Sequence, residues 1–170
     1  MKNPALKYYL FITLALVSVF SCAKKTAAPA SSTRSAAYRE KTISTATMSS
    51  DIINGVNAYR KTKGLPPLKL LALAASEAAR HSSDMASKRV PFGHDGFNQR
   101  AIAIANELQG SSATGENVAF GKMTWKQVID AWLKSPEHKA NIEGAFTYTG
   151  VGVAKDSRGV VYYTQLFVKK

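Results

Sequence analysis

Residues 148–168, YTGVGVAKDSRGVVYYTQLFV, decide the architecture of this chain. Two β-rich runs, Tyr148–Ala154 and Val160–Val168, flank Asp156-Ser157-Arg158-Gly159, a sequence suited to a hairpin loop. The second run carries Tyr162, Leu166 and Val168 on one side and Val161, Tyr163 and Phe167 on the other. A strand with one wet face alternates polar and apolar residues, whereas one that is apolar on both faces needs cover from both sides. Helical patterns precede this hairpin. Together these features predict an α+β chain built as a three-layer α-β-α sandwich.

The helices are read from their apolar spacing. Ser49 or Ser50 can cap a first helix with Ile52, Ile53, Val56 and Tyr59 on its inner side, ended by Gly64 and Pro66-Pro67. A second helix, from about Leu70 to Lys88, points Ala74, Ala78, His81 and Met85 inward. Arg80 and Asp84 stand at i,i+4 on its outer side. A loop, Pro91–Gly96, separates it from a third helix with Ala101, Ile104, Ala105 and Leu108 on one face. Gly115–Gly121 reads as a short strand. The next helix points Trp125, Val128, Ile129, Trp132 and Leu133 inward and Lys126, Asp130 and Lys134 outward, which makes Asp130 an expected salt-bridge partner of those lysines. Ser135-Pro136 then restarts a short helix, Ser as cap and Pro at its first position.

The N-terminal region is of another kind. Lys2 and Lys7 precede an apolar run, Tyr8–Phe20, too short for a comfortable membrane span but suited to a signal peptide. Val19-Phe20-Ser21-Cys22 resembles a bacterial lipobox in a loose form, which implies lipid attachment at Cys22 and removal of residues 1–21. The alternative is an ordinary signal peptide cleaved after a residue such as Ala23. Residues 22–47 are rich in Ala, Ser and Thr and read as a flexible tether, leaving 48–170 as the folded domain. Cys22 is the sole cysteine, so the mature domain can hold no internal disulfide and no cysteine nucleophile or ligand.

The net charge is +12. Of this, residues 48–170 carry +6, from 16 basic and 10 acidic residues. No basic cluster interleaved with aromatics occurs, so nucleic acid is excluded as the expected partner. A basic tether beside a lipid anchor suits an anionic bilayer. The expected setting is therefore export, with membrane attachment through Cys22, facing the periplasm or cell surface, and a monomeric domain.

Three histidines are present. His81 lies on an alanine-lined helix face and reads as a core histidine bonded within the fold. His94 sits in a glycine-flanked loop, where function concentrates. His138 follows the Ser135 cap, and Glu116 opens an apolar strand between Gly115 and Asn117. No HExxH or CxxC spacing joins these residues into a metal motif.

Several segments occur together in order: HSSDMA (81–86), FGH (92–94), GENVA (115–119), AWLKSPEHKANI (131–142), GVGVA (150–154) and YTQLF (163–167). This succession, over residues 50–168, resembles the CAP superfamily (cysteine-rich secretory proteins, antigen 5, pathogenesis-related 1), also called the SCP domain, in its bacterial form. The resemblance implies an α-β-α sandwich with an open cleft formed here by His94, Glu116 and His138. It also implies that His94 and His138 can hold a divalent metal, often zinc. The pattern departs at Ser135, which stands where the family has a second cleft acid.

Three functions follow from that resemblance. The first is a non-catalytic binding module at the cell envelope, taking a metal or a lipid-like ligand. The second is a metal-dependent hydrolase using His94, His138 and Glu116, with Glu116 as ligand or catalytic base. The third is a hydrogen-bonded network that only pins the loops.

Overall fold

The structure, a computed structural model, describes residues 44–110 and 113–170. The expected signal peptide, Cys22 and the tether as far as residue 43 lie outside the described residues. Helix α1 spans Thr45–Thr62, and it starts earlier than its sequence suggests. Ser44 is the cap, its hydroxyl accepting from the Thr47 amide at 3.1 Å. Ser49 and Ser50, the expected caps, lie inside the helix. They donate to the carbonyls of Thr45 and Thr47, which satisfies their hydroxyls without breaking the turn. The helix therefore begins within the stretch read as tether.

Past α1 the chain folds back through a loop stitched to it. Asn57 Nδ2 donates to the Leu68 carbonyl at 2.9 Å, and Asn57 Oδ1 accepts from the Leu68 amide at 2.8 Å. The two-residue strand β1, Lys69–Leu70, follows. Then come α2 (Ala72–Ala86), α3 (Phe97–Glu107), β2 (Ala113–Gly121), α4 (Trp125–Lys134), α5 (Pro136–Glu143), β3 (Tyr148–Lys155) and β4 (Val161–Lys169). The strands form one mixed sheet in the order β1-β3-β4-β2. β1 runs parallel to β3, and the other neighbours are antiparallel.

The two faces of β4 are both covered, as its sequence requires. Val161, Tyr163 and Phe167 pack with Ile52 and Val56 of α1, Val128, Ile129 and Trp132 of α4 and Ile142 of α5. Leu166 and Val168 pack with Ala74 and Ala78 of α2 and Ile104 of α3. Tyr162 meets Met85 and Val118. The architecture is the three-layer α-β-α sandwich.

α2 lies unusually deep on the sheet. A Cβ added to Gly150 would fall 2.1 Å from the Ala75 amide nitrogen, and one added to Gly152 would fall 2.1 Å from the Ala78 carbonyl carbon. The inward alanines of α2 and these two glycines thus bring backbone against backbone. Ser82, buried on the same helix face, closes the contact by bonding the Gly152 carbonyl at 3.0 Å and Thr164 Oγ1 at 2.9 Å.

Three surface expectations are corrected. Arg80 pairs with Glu77, one turn back, while Asp84 accepts from Arg89 Nε at 2.7 Å, because the chain after α2 turns Arg89 back onto it. Lys126 lies over the Trp125 ring at 5.2 Å, and Asp130 joins no ion pair among the described residues. Ser135 holds the cap position of α5 with Pro136 at its first turn, but its side chain makes no capping bond. The capping box instead belongs to α4, between Thr124 and Gln127.

The α2 contact sets the first prediction. Gly152→Ala should destabilise the domain by about 3 kcal/mol, because neither backbone can retreat from the added methyl. Urea unfolding of the variant beside the parent measures it, and a loss under about 0.5 kcal/mol would show that the layer can separate freely.

Candidate functional site

The site is assembled where the loop before α3 meets the edge strand β2. Gly96 opens α3 with φ of 77°, a left-handed backbone conformation that glycine adopts without cost. The turn brings His94 and Asp95 back over the first turn of α3, close to Arg100. On the other side of the loop, His81 Nε2 lies 2.9 Å from the Gly93 carbonyl. A carbonyl only accepts, so Nε2 carries the proton. His81 is buried as expected, and burial above all lowers its pKa below the ordinary 6.5, with the Gly93 bond acting the other way. It fastens the loop to α2.

Glu116, fourth in β2, points under this loop. Arg100 grips its carboxylate with a two-pronged contact: Nε to Oε2 at 2.8 Å and Nη2 to Oε1 at 2.9 Å. The remaining Nη1 donates to the Asp95 carbonyl at 2.8 Å. His94 Nδ1 lies 2.8 Å from Oε1. The side chains of Glu116 and Arg100 are 1% and 5% exposed, whereas that of His94 is 53% exposed. Two buried opposite charges thus neutralise each other, and the imidazole they orient faces out. Because a carboxylate only accepts, His94 donates through Nδ1 and presents Nε2 outward as an acceptor.

His138 approaches from α5 on the opposite layer. Its carbonyl accepts from Asn117 Nδ2 at 3.0 Å, and Asn141, one turn further, donates to Asn117 Oδ1 at 2.9 Å and to the Glu116 carbonyl at 3.2 Å. Burial first, and then His94, lower the His138 pKa below 6.5. The structure therefore brings His94 and Glu116 into direct contact, with His138 beside them through Asn117. Asp95, Phe97 and Gln99 border a depression of about 350 Å³ against His94.

Arg100 is the member that sequence reading missed. The signal was present, since Arg100 stands four residues before Ile104 and so shares the buried side of α3. A cation on a buried face requires a counter-charge, and Glu116 supplies it.

As a metal centre, the arrangement is incomplete. Among the described residues no group of three or more His, Cys, Asp or Glu side chains could hold an ion. Both oxygens of Glu116 are already engaged. A closed zinc centre with three protein ligands does not fit, and the available donors are His94 Nε2 and the His138 imidazole. The bond from His94 Nδ1 to Glu116 is nonetheless the kind that orients a metal-binding histidine.

The Arg100–Glu116 pair carries a second prediction. Arg100→Met or Glu116→Gln alone should each cost about 3–5 kcal/mol by stranding a buried charge. The double variant should cost clearly less than the sum of the two. Unfolding free energies around this cycle measure the coupling, and additive losses would mean that the two side chains act independently.

The family model for the CAP, or cysteine-rich secretory protein, family matches residues 53–167. YkwD of Bacillus subtilis is 31% identical over 122 residues, covering 70% of this chain and 46% of YkwD, so the chain spans about half the length of that relative. An extracellular protein containing a SCP domain from Bacillus anthracis superposes with a TM-score of 0.61 at 29% identity, over 72% of this chain and 40% of the other. An outer surface protein of Borrelia burgdorferi shares the fold, with a TM-score of 0.64 at 22% identity over 75% of this chain and 96% of the other. With the matched region taking in the sandwich from α1 to β4 and every member of the His94–Glu116–His138 group, the chain belongs to the CAP family.

Proposed function

We propose that this CAP protein is exported and acts at the cell envelope as a non-catalytic binding module, with the His94–Glu116–His138 cleft as its ligand site. The observation that carries this reading is the state of Glu116. A general base or a metal-bound carboxylate must reach its substrate or ion, whereas the Glu116 side chain is 1% exposed and both its oxygens are hydrogen-bonded to Arg100 and His94. Ser135 occupies the position where a second acid would be expected, which removes the other carboxylate a hydrolase would use. What remains exposed is an oriented imidazole edge. That suits recognition of a divalent cation held by His94 Nε2 and His138 with water completing its shell, or of a lipid-like ligand accepting the exposed edge of the loop. Such a cation would supply only a positive anchoring point for the ligand. His94 is held for this role by Glu116, and His138 by its place on α5.

Thermal unfolding with and without zinc tests the metal part. Zinc at about 100 times its Kd should stabilise the parent by about 2.7 kcal/mol, and His138→Ala should abolish the gain. A transition unmoved by zinc and by chelator would remove the metal from this reading.

Export is supported by the basic and apolar N-terminal pattern, and by the extracellular description of the Bacillus anthracis relative. Anchoring is supported by the lipobox-like Val19–Cys22. Intact-mass analysis of protein extracted from membranes should find a chain that begins at a diacylglyceryl-modified Cys22. An unmodified N-terminus, or one starting beyond residue 22, would refute the anchor.

A further inference from the structure

At the β1 edge of the sheet, across from the β2 edge that carries Glu116, a groove of about 530 Å³ opens between the loop after α1 and the loop before β3. Its walls include Leu65, Pro66, Phe146 and Tyr148, and no Asp or Glu side chain lines it. Arg60 lies at its buried end and is only 1% exposed. Arg60 Nε donates to the Pro66 carbonyl at 2.9 Å, and Nη1 donates to the carbonyls of Ile142 and Gly144 at 2.7 and 2.9 Å. Those last two carbonyls close the C-terminal end of α5, so the guanidinium caps a helix. No carboxylate pairs with this guanidinium among the described residues. Arg100, by comparison, has a whole carboxylate.

The remaining nitrogen of Arg60, Nη2, has no protein partner among the described residues. The nearby carboxylate of Glu143 is already engaged by the Tyr59 hydroxyl at 2.6 Å. Burial pushes the guanidinium pKa down, and no neighbouring acid offsets that push. Lys69 and Lys170 also border the groove, the Lys170 amide donating to Thr147 Oγ1 at 3.1 Å. A guanidinium with no carboxylate partner, turning one nitrogen toward the groove between apolar walls, is complementary to one class of ligand.

We propose that this groove is a second ligand site, taking a small organic carboxylate with a compact apolar body. The carboxylate meets Arg60 Nη2 and Lys69, and the body lies on Leu65, Phe146 and Tyr148. The charge selects the ligand and the walls hold it, so neither an apolar neutral molecule nor a bare anion should suffice.

The test is a titration of the isotope-labelled chain, followed by amide NMR shifts, with three probes: 4-phenylbutyrate, its neutral amide, and inorganic phosphate. The carboxylate should shift the amides of Lys69, Phe146 and Tyr148 with a Kd of ~1 mM. The neutral amide and phosphate should each bind at least about tenfold more weakly. Arg60 variants are expected to disturb the α5 cap, so Lys69→Glu is the informative change. It should weaken 4-phenylbutyrate about tenfold while leaving the unfolding midpoint within a degree or two. His94→Ala should leave the affinity unchanged, which separates this site from the cleft. Absence of shifts at the groove, equal binding of acid and amide, or an equal response to phosphate would each overturn the proposal and leave Arg60 as a helix cap alone.

Discussion

Everything in this domain depends on how closely α2 can approach β3. With residues larger than glycine at 150 and 152, the helix would have to ride outward, since a Cβ at either position would fall 2.1 Å from its backbone. Here the two backbones touch. The depth of α2 decides where His81 ends up, and His81 takes hold of the loop through the Gly93 carbonyl. That loop carries His94. A packing constraint in the middle of the molecule is thus passed, through one imidazole, to the residue most exposed at the site.

The site itself is arranged around charge. Glu116 and Arg100 are both removed from water, and each would be costly there without the other. Their contact is two-pronged, and the third donor of Arg100 secures the Asp95 carbonyl, so the pair also fixes the backbone beside His94. The result is a rigid support with a single outward-facing group. Asn117 and Asn141 do the corresponding work on the other layer, joining β2 to α5 and holding His138 in place. Two layers of the sandwich therefore meet at one edge strand, each contributing one imidazole.

Much of this was legible from residues alone. The doubly apolar β4 announced cover on both faces, and the inward residues of α2 and α4 were evident from their spacing. His81 was recognisable as a core histidine from its alanine neighbours. What escaped were matters of partner choice. Ser44 wins over Ser49 and Ser50 as a cap because the helix can extend to it, and serines inside a helix satisfy themselves locally. Asp84 prefers Arg89, five residues on, to Arg80, since only the fold shows that the chain reverses there. Arg100 escaped because only the apolar residues of its helix were used to define the inner face. Sequence spacing states which side of a helix a charge occupies, but its counter-charge came from a strand sixteen residues away.

The sheet has a further property, rooted in its outer strands. An unpaired strand edge is a template on which another chain can add itself, the route to edge-to-edge aggregation. On one side the exposed edge is β1, only two residues long and begun by a lysine. On the other it is β2, nine residues long, where Asn141 of α5 reaches across to the Glu116 carbonyl. One edge is blunted by brevity and charge, and the other is partly claimed by a side chain. Crowded against copies of itself, the domain thus offers a neighbouring strand little to join at β1, and at β2 an edge interrupted where α5 crosses it.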